Sequence, residues 1–122
     1  MENTLNKMLK CQENLQNRLG ADFNHMLLEE KAMFIKEMSY FVTEELHEMT
    51  REIPYVKSWS KKYDSWDEEK IKDQYSKAKE EFIDVITFAL NIALALGMDG
   101  KEIEEMYYEK NEINHKRQNS NY

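Results

Sequence analysis

The sequence predicts an all-α fold, a helical bundle of about four main helices. The chain has 122 residues but only three glycines and one proline, so few turn signals interrupt its helical patterns. Hydrophobic residues make up 41% of the chain and recur at the spacing of amphipathic helices, and β-branched residues are scarce. We expect a single domain, residues 1–122.

Charge and composition exclude several classes of function. The formal net charge is −7, which argues against a broad basic surface for duplex nucleic acid. The longest apolar run, residues 85–96, is interrupted by Thr87 and Asn91 and is too short to span a bilayer, so no membrane partner is expected. The N-terminus lacks the pattern of a signal peptide, and the single cysteine cannot form an internal disulfide. We therefore expect a cytoplasmic protein.

Helix signals divide the chain into four helical segments. Gly20 is a favourable stop for the first segment, and the second stops before Pro54. Capping boxes mark the starts of the third and fourth segments, at Ser65 with Glu68 and at Asp99 with Glu102. The predicted helices cover residues 3–19, 24–52, 66–96 and 100 onward, with an irregular stretch at 54–65.

Two acidic pairs are the strongest candidates for a functional site: Glu45 with Glu48, and Glu81 with Asp84. In a helix, residues three apart lie on one face with roughly 4.5 Å of rise between them, so each pair can face one ligand. Carboxylates converging from two helices repel one another unless a cation lies between them. Oxygen ligands suit Mg²⁺ or Mn²⁺ rather than zinc. The alternative is that both pairs are simply solvated, since 34% of the chain is charged.

The position of Glu45 favours the metal interpretation. On a helical projection of about 100° per residue, Glu45 lies about 20° from Met38, and the apolar residues Val42 and Met49 lie within about 40° of Met38. A carboxylate in the middle of an apolar stripe must be paired, protonated or bound to metal.

Polar side chains also interrupt the apolar faces of the first and fourth helices. Gln12 and Gln16 lie on the inner face of the first helix. They bond to each other or to a neighbouring helix, or else to the edge of a nucleobase. Lys110, Asn114 and Arg117 continue the apolar stripe of the fourth helix, so we expect them to point inward; the alternative is a solvated helix end. Acids, amides and cations together suit a Mg²⁺-bound nucleotide.

The stretch 54–65 mixes aromatic residues with lysines. Trp59 either packs on the bundle as part of a connector or stacks on a base, with lysines holding phosphates nearby.

The third helix is apolar on almost every side from Phe82 to Leu96. Burial that complete in a short chain predicts a partner subunit, and we expect a homodimer.

Four motifs resemble those of the dimeric dUTPases, compact phage-type members above all. That family lies within the all-α nucleotide pyrophosphohydrolase (MazG-like) superfamily, which also includes dCTP pyrophosphatases. The similarity covers nearly the whole chain. The motifs are Glu45–Glu48 with Glu81–Asp84, the tail from Glu109 to Tyr122, the opening segment Met8–Gln16, and Lys57-Ser58-Trp59.

The resemblance implies Mg²⁺-dependent hydrolysis of dUTP to dUMP and pyrophosphate, with Mn²⁺ as a possible substitute. It implies metal ligands at Glu45, Glu48, Glu81 and Asp84, with Glu45 and Glu48 as the catalytic residues and Glu48 as the acceptor of a proton from water. The implied phosphate-binding residues are Lys57, Lys110, Asn114, Arg117 and Tyr122. The implied base-binding residues are Gln12, Gln16 and Trp59.

The identity of the base is left open by two departures from the family pattern, both near the expected base pocket. After the second acidic motif the family often has Trp-His-Phe, whereas this chain has Ile86-Thr87-Phe88, and Gln16 stands where the family usually has asparagine. A pyrophosphohydrolase for dCTP or another deoxynucleoside triphosphate is therefore one alternative. A non-catalytic helical dimerisation module that binds a protein partner is another.

Overall fold

The computed structural model describes residues 2–120, and the prediction of an all-α chain with four main helices is confirmed across that range, which contains no strand. A short 3-10 turn, Lys62–Ser65, lies in the stretch between the second and third helices. The helices are α1 Thr4–Arg18, α2 Leu28–Glu52, α3 Glu68–Ala95 and α4 Gly100–Asn119.

The central helix is α3, against which both α1 and α2 pack. The α2 helix runs antiparallel to it, because Gln74 bonds to Glu52 near one end of the pair and Asn91 bonds to Met38 further along. The α1 helix packs on the C-terminal half of α3, where Leu9 forms a buried cluster with two α3 residues. The α1 and α2 helices therefore flank the same segment of α3.

The start of α4 is fixed to α1 by two hydrogen bonds. The backbone N–H of Gly100 donates to Asn6 Oδ1 at 2.6 Å, and Asn3 Nδ2 donates to Glu104 Oε2 at 2.7 Å. Ile103 packs against the Leu9 cluster, so the first turn of α4 belongs to the core.

The rest of α4 projects away from the bundle. It makes an angle of 105° with α3, and every residue from 104 to 119 is exposed. Met106 is 43% exposed and Tyr107 is 63% exposed. The expectation that the α4 stripe packs inward is therefore wrong for a single chain, because the bonds to α1 fix the direction in which the helix leaves the core.

The predicted start of the second helix is four residues too early, since α2 begins at Leu28 rather than Asn24. The cause is a local turn in which Asp22 Oδ1 accepts from the backbone N–H of Asn24 at 3.2 Å. Asp22 also pairs with His25 Nδ1 at 2.7 Å, so the side chain holds this segment out of the helix.

The capping box predicted at Ser65 and Glu68 is also wrong. Asp67 is the N-cap of α3 and accepts from the backbone N–H of Lys70 at 2.8 Å, while Ser65 donates to the carbonyl of Lys62 within the 3-10 turn. At α4 the N-cap of the predicted capping box is confirmed, because Asp99 accepts from the backbone N–H of Glu102 at 2.8 Å.

The apolar C-terminal half of α3 is largely covered within one chain. Leu90, Ala93 and Ala95 are buried, whereas Phe82 and Ile83 at the start of that half remain exposed. The homodimer stays a prediction.

Among residues 2–120 no single helix is long and apolar enough to cross a membrane, although the bent α3–α4 pair passes that test on length and composition.

Candidate metal and nucleotide site

Polar side chains occur in three layers of the α2–α3 interface. Along α2, successive layers are seven residues apart, which is about two helical turns. Each layer places an α2 residue beside one or two α3 residues. The layers are Met38 with Asn91, Glu45 with Glu81 and Asp84, and Glu52 with Gln74.

The middle layer, which we call the acidic layer, consists of Glu45, Glu81 and Asp84. One carboxylate oxygen from each lies within 4.8 Å of the others. Glu45 and Glu81 are half-buried and Asp84 is exposed, so the layer extends from the helix interface to solvent. Glu45 Oε2 is buried and has no hydrogen-bond partner among residues 2–120. The prediction that Glu45 lies on the packed face of α2 is confirmed.

The electrostatics of the acidic layer oppose its own ionisation. Burial is the largest cause that raises the pKa of Glu45, to about 7, and a hydrogen bond with Glu81 adds to it. The charges of Glu48, Asp84 and Glu81 raise that pKa further, and each of these neighbours is negative. A bound cation would reverse this balance and favour the ionised form.

The residues of the acidic layer fit a hard divalent cation. All the donor atoms are carboxylate oxygens, which suit Mg²⁺ or Mn²⁺, and no histidine or cysteine belongs to the group. The orphaned Glu45 Oε2 is a buried acceptor that a metal ion would satisfy. The arrangement can therefore hold Mg²⁺ between two helices.

Glu48 lies one helical turn beyond Glu45 and is exposed. The Glu48 carboxylate does not belong to the acidic layer, although its charge raises the pKa of Glu45. Its predicted roles as metal ligand and as proton acceptor stay predictions.

The two amides of α1 lie beside the same part of α3. Gln16 is buried, and Gln12 Oε1 is buried without a partner in the described part of the chain, so their predicted inward placement is confirmed. Gln12 also lines a cleft of about 270 Å³ together with Ile83 and Thr87, the residues on either side of Asp84 along α3. The structure thus places Gln12 in a cleft beside the α3 turn that carries Asp84, and the contact of both amides with a base stays a prediction.

Lys57 and Trp59 lie in a different cleft, of about 530 Å³, at the C-terminal end of α2. Arg51 lines the same cleft and lies one helical turn beyond Glu48 along α2. Trp59 is 78% exposed, which contradicts the alternative that it packs on the bundle. Tyr55, in the same loop, has a φ of 67°, and its hydroxyl bonds to Asp64 at 3.1 Å.

The predicted phosphate-binding residues of α4 are not brought to the acidic layer within one chain. Lys110, Asn114 and Arg117 are exposed, on the part of α4 that projects from the bundle. From the helical rise, Lys110 lies about 15 Å and Arg117 about 25 Å along α4 from its start. Tyr122, the last predicted phosphate contact, lies outside the described residues.

Two residues near the site were not selected from the sequence. Asn91 is 1% exposed and donates through Nδ2 to Met38 Sδ at 3.7 Å, while its Oδ1 has no partner within the range that the structure describes. Thr87 lines the cleft beside Gln12 and donates to the carbonyl of Ile83 at 3.0 Å. In the sequence, both residues appear only as polar interruptions of an apolar run. That pattern shows their positions but not which side chains they contact.

The fold and the acidic layer define an all-α protein with a two-helix carboxylate site. A family model described as dUTPase matches residues 75–122, a segment that includes Glu81, Asp84 and all of α4. The dCTP pyrophosphatase of Enterobacteria phage T4 is 37% identical over 71 residues, which cover 54% of this chain and 41% of that protein. The dCTP pyrophosphatase of Enterobacteria phage LZ5 is 39% identical over 70 residues, with the same coverage of 54% and 41%.

These matches confirm the resemblance to dUTPases and related phage nucleotide pyrophosphatases. The matched region spans 41% of the length of the two phage relatives. A search of the solved structures gave no match.

Proposed function

We propose that this protein is a Mg²⁺-dependent pyrophosphohydrolase that cleaves dUTP to dUMP and pyrophosphate. The observation that carries the proposal is the acidic layer, in which the buried, unpaired Glu45 Oε2 lies with two further carboxylates in a group suited to a hard cation. The dUTPase family match and the two phage relatives support the same class of reaction.

The acidic residues divide the chemistry between them. Glu45, Glu81 and Asp84 would hold Mg²⁺, with Mn²⁺ as a substitute, and the bound ion would supply Lewis-acid chemistry toward the phosphates and an attacking water. Glu48 is exposed and one turn from Glu45, so it is free to accept the proton of that water or to join the metal ligands.

The substrate is held by three further groups of residues. Gln12 and Gln16 bond the edge of the base in this proposal, and Trp59 stacks on its face, a use that suits an aromatic ring left 78% exposed. Cationic and polar side chains bind the triphosphate: Lys57, Lys110, Asn114, Arg117 and Tyr122. Each protein molecule acts as one half of a homodimer.

A second candidate substrate is dCTP, because both phage relatives are named dCTP pyrophosphatase. The amides on α1 permit either base, since a glutamine side chain offers both a donor and an acceptor. Uracil presents an N–H beside a carbonyl, and cytosine presents an amino group beside an unprotonated ring nitrogen. Gln12 can pair with either edge by rotating its amide.

Pyrophosphate release from dUTP, with and without Mg²⁺, tests the proposal. We expect turnover only with the metal, and at least about a hundred-fold loss of kcat in Glu81→Gln, which keeps the size of the side chain but removes a metal-binding charge. Glu80→Gln is the matched control, because Glu80 is adjacent and exposed and lies outside the acidic layer.

Wild-type rates in Glu81→Gln would remove the acidic layer from the reaction. A protein that is merely a helical dimerisation module should show neither turnover nor Mg²⁺-linked stabilisation.

A further inference from the structure

We propose that Tyr55 is a positioning residue for the nucleotide, acting through Lys57 and Trp59 without touching the substrate itself. The inference rests on the proposed function, which gives those two side chains their contacts with phosphate and base. Tyr55 lies at the base of the loop that carries them, residues 56–62, which we call the binding loop.

The binding loop needs support from outside, because its own contacts hold it weakly. Residues 56–61 belong to no helix, and a local turn is formed where the backbone N–H of Ser60 donates to the carbonyl of Lys57 at 3.0 Å. Trp59 is 78% exposed, so its ring makes little packing contact. The positions of Lys57 and Trp59 therefore depend on how the two ends of the loop are joined.

Tyr55 joins those two ends. Its hydroxyl donates to Asp64 Oδ1 at 3.1 Å, across nine residues of the chain. Its ring also lies 5.3 Å from the ring of Tyr63, measured between centroids. We call Tyr55, Tyr63 and Asp64 the neck, because their contacts close the binding loop and so restrict the conformations open to the residues between them.

The neck is in turn fixed to α3. The rings of Tyr63 and Trp66 meet edge to face with centroids 4.7 Å apart, and Lys70 Nζ, in the first turn of α3, lies 4.3 Å from the centre of the Trp66 ring. Before the loop, Gln74 Nε2 of α3 donates to the carbonyl of Glu52 at 3.4 Å. The same helix carries two members of the acidic layer, so these contacts set the position of the binding loop relative to that layer.

The backbone at Tyr55 is held in a strained conformation. Its φ is 67°, and no other non-glycine residue among residues 2–120 has a positive φ. A bulky residue is strained there, whereas glycine is not. Such strain persists only where the surrounding contacts hold it, and it is common at binding sites. The contacts with Tyr63 and Asp64 are ones that a glycine could not make, which gives the tyrosine side chain a role that offsets its backbone strain.

The neck supports the cleft from outside. Tyr63 lines the cleft of about 530 Å³ together with Lys57 and Trp59, whereas Tyr55 and Asp64 do not belong to its lining. Loss of the bond between Tyr55 and Asp64 should therefore weaken the binding of substrate and leave the acidic layer as it is.

Steady-state kinetics test this division. Tyr55→Phe removes the hydroxyl bond and keeps the ring, so we expect KM for dUTP to rise about three- to tenfold while kcat is unchanged. Asp64→Ala should have the same effect, and the double variant should be no worse than either single variant, because both substitutions remove one contact. Asp64→Asn keeps an acceptor oxygen and should keep the wild-type KM.

Tyr40→Phe is the matched control, because it removes a hydroxyl from an exposed tyrosine of α2 outside the neck. It should leave both kinetic constants unchanged. A variant that is merely less stable contains less folded enzyme, which lowers the apparent kcat and leaves KM as it was. That pattern in Tyr55→Phe, or a wild-type KM in that variant, overturns the inference.

Hydrogen exchange of the full-length protein without nucleotide, followed by mass spectrometry, tests the neck independently of activity. Tyr55→Phe and Asp64→Ala should each speed the exchange of backbone amides in residues 56–62 at least about threefold, with the rates in α2 and α3 unchanged. Unchanged exchange in the binding loop, or equal acceleration along the whole chain, overturns the inference. A wild type that cleaves no nucleotide would refute the proposed function, and the exchange rates would still support or overturn the neck.

Discussion

Carboxylate oxygens of Glu45 and Asp84 lie within 4.8 Å of one another, although these acidic side chains come from different helices. Burial is the main cause that raises the pKa of Glu45 to about 7, well above its usual value of 4.5. The folded state therefore holds a proton on this group that the unfolded state releases. The contribution of Glu45 protonation to the free energy of unfolding is therefore fully present below pH 4.5 and is lost as the pH rises through about 7.

The first prediction concerns that pH dependence. Without metal, we expect the melting temperature of the wild type to fall between about pH 5 and pH 7.5 more steeply than that of Glu45→Gln, which cannot ionise. Thermal scans in a chelating buffer measure the difference, with Glu80→Gln as a control for the loss of one charge. Parallel pH profiles for Glu45→Gln and wild type would show that Glu45 titrates as it does in the unfolded chain.

Metal binding should compensate the same carboxylate. We expect Mg²⁺ together with a non-hydrolysable dUTP analogue to raise the melting temperature, because the ligand binds the folded state alone. The shift should be mostly lost in Glu45→Gln. An equal shift in that variant would remove Glu45 from the metal ligands.

Gly100 has a steric role at the junction of α1 and α4. A Cβ atom at this position would lie 2.7 Å from Asn3 Oδ1 and 2.8 Å from Asn6 Oδ1, which is closer than such atoms approach. Gly100→Ala should therefore lower the free energy of unfolding by about 1–2 kcal/mol, despite the better helix propensity of alanine. Urea unfolding measures the change, and Lys101→Ala, at the exposed neighbouring residue, should be close to neutral. A stabilised Gly100→Ala would show that the two helices separate readily here.

Asn91 is 1% exposed, and its Oδ1 has no partner among the described residues. Leucine has the same branching and number of side-chain heavy atoms, so Asn91→Leu removes a buried polar group without leaving a large void. We expect the free energy of unfolding to be unchanged or to rise by up to about 2 kcal/mol. A fall of that size would instead indicate an ordered water bonded to Oδ1, and Asn91→Ala gives the cost of truncation for comparison.

Arg117 should contribute to substrate binding through its charge. A charge-assisted contact with phosphate is worth roughly 1.5–3 kcal/mol, so Arg117→Ala should lower kcat/KM by about ten- to a hundred-fold. The loss should be larger for dUTP than for dUMP binding, and a deletion of residues 117–122 should be at least as damaging. A deletion with wild-type turnover would mean that this end of α4 is only a solvated terminus.

The sequence predicted most of the architecture because the relevant signals are local. Gly20 and Pro54 mark the ends of helices, and Asp99 caps α4 as its spacing indicates. The helix starts at Leu28 and Glu68 were misjudged because Asp22 and Asp67 form short-range bonds that compete with the expected caps. Such competition depends on backbone geometry that residue spacing does not specify.

The site was predicted in part. The inward positions of Glu45 and Gln16 follow from helical periodicity and are confirmed. The direction of Lys110 was wrong for a single chain, because periodicity assigns a residue to a face of its helix without saying what that face meets. The direction in which α4 leaves the core depends on the bond between Asn6 and Gly100, which joins residues 94 positions apart.

Phosphorus NMR of dUTP incubated with this protein and Mg²⁺ tests the central claim most directly. We expect the triphosphate signals to be replaced by those of dUMP and pyrophosphate, with no turnover in the presence of a chelator and a large loss in Glu81→Gln. Parallel spectra with dCTP and the other deoxynucleoside triphosphates rank the bases. Release of inorganic phosphate instead of pyrophosphate, or no reaction with any of these nucleotides, would contradict the proposal.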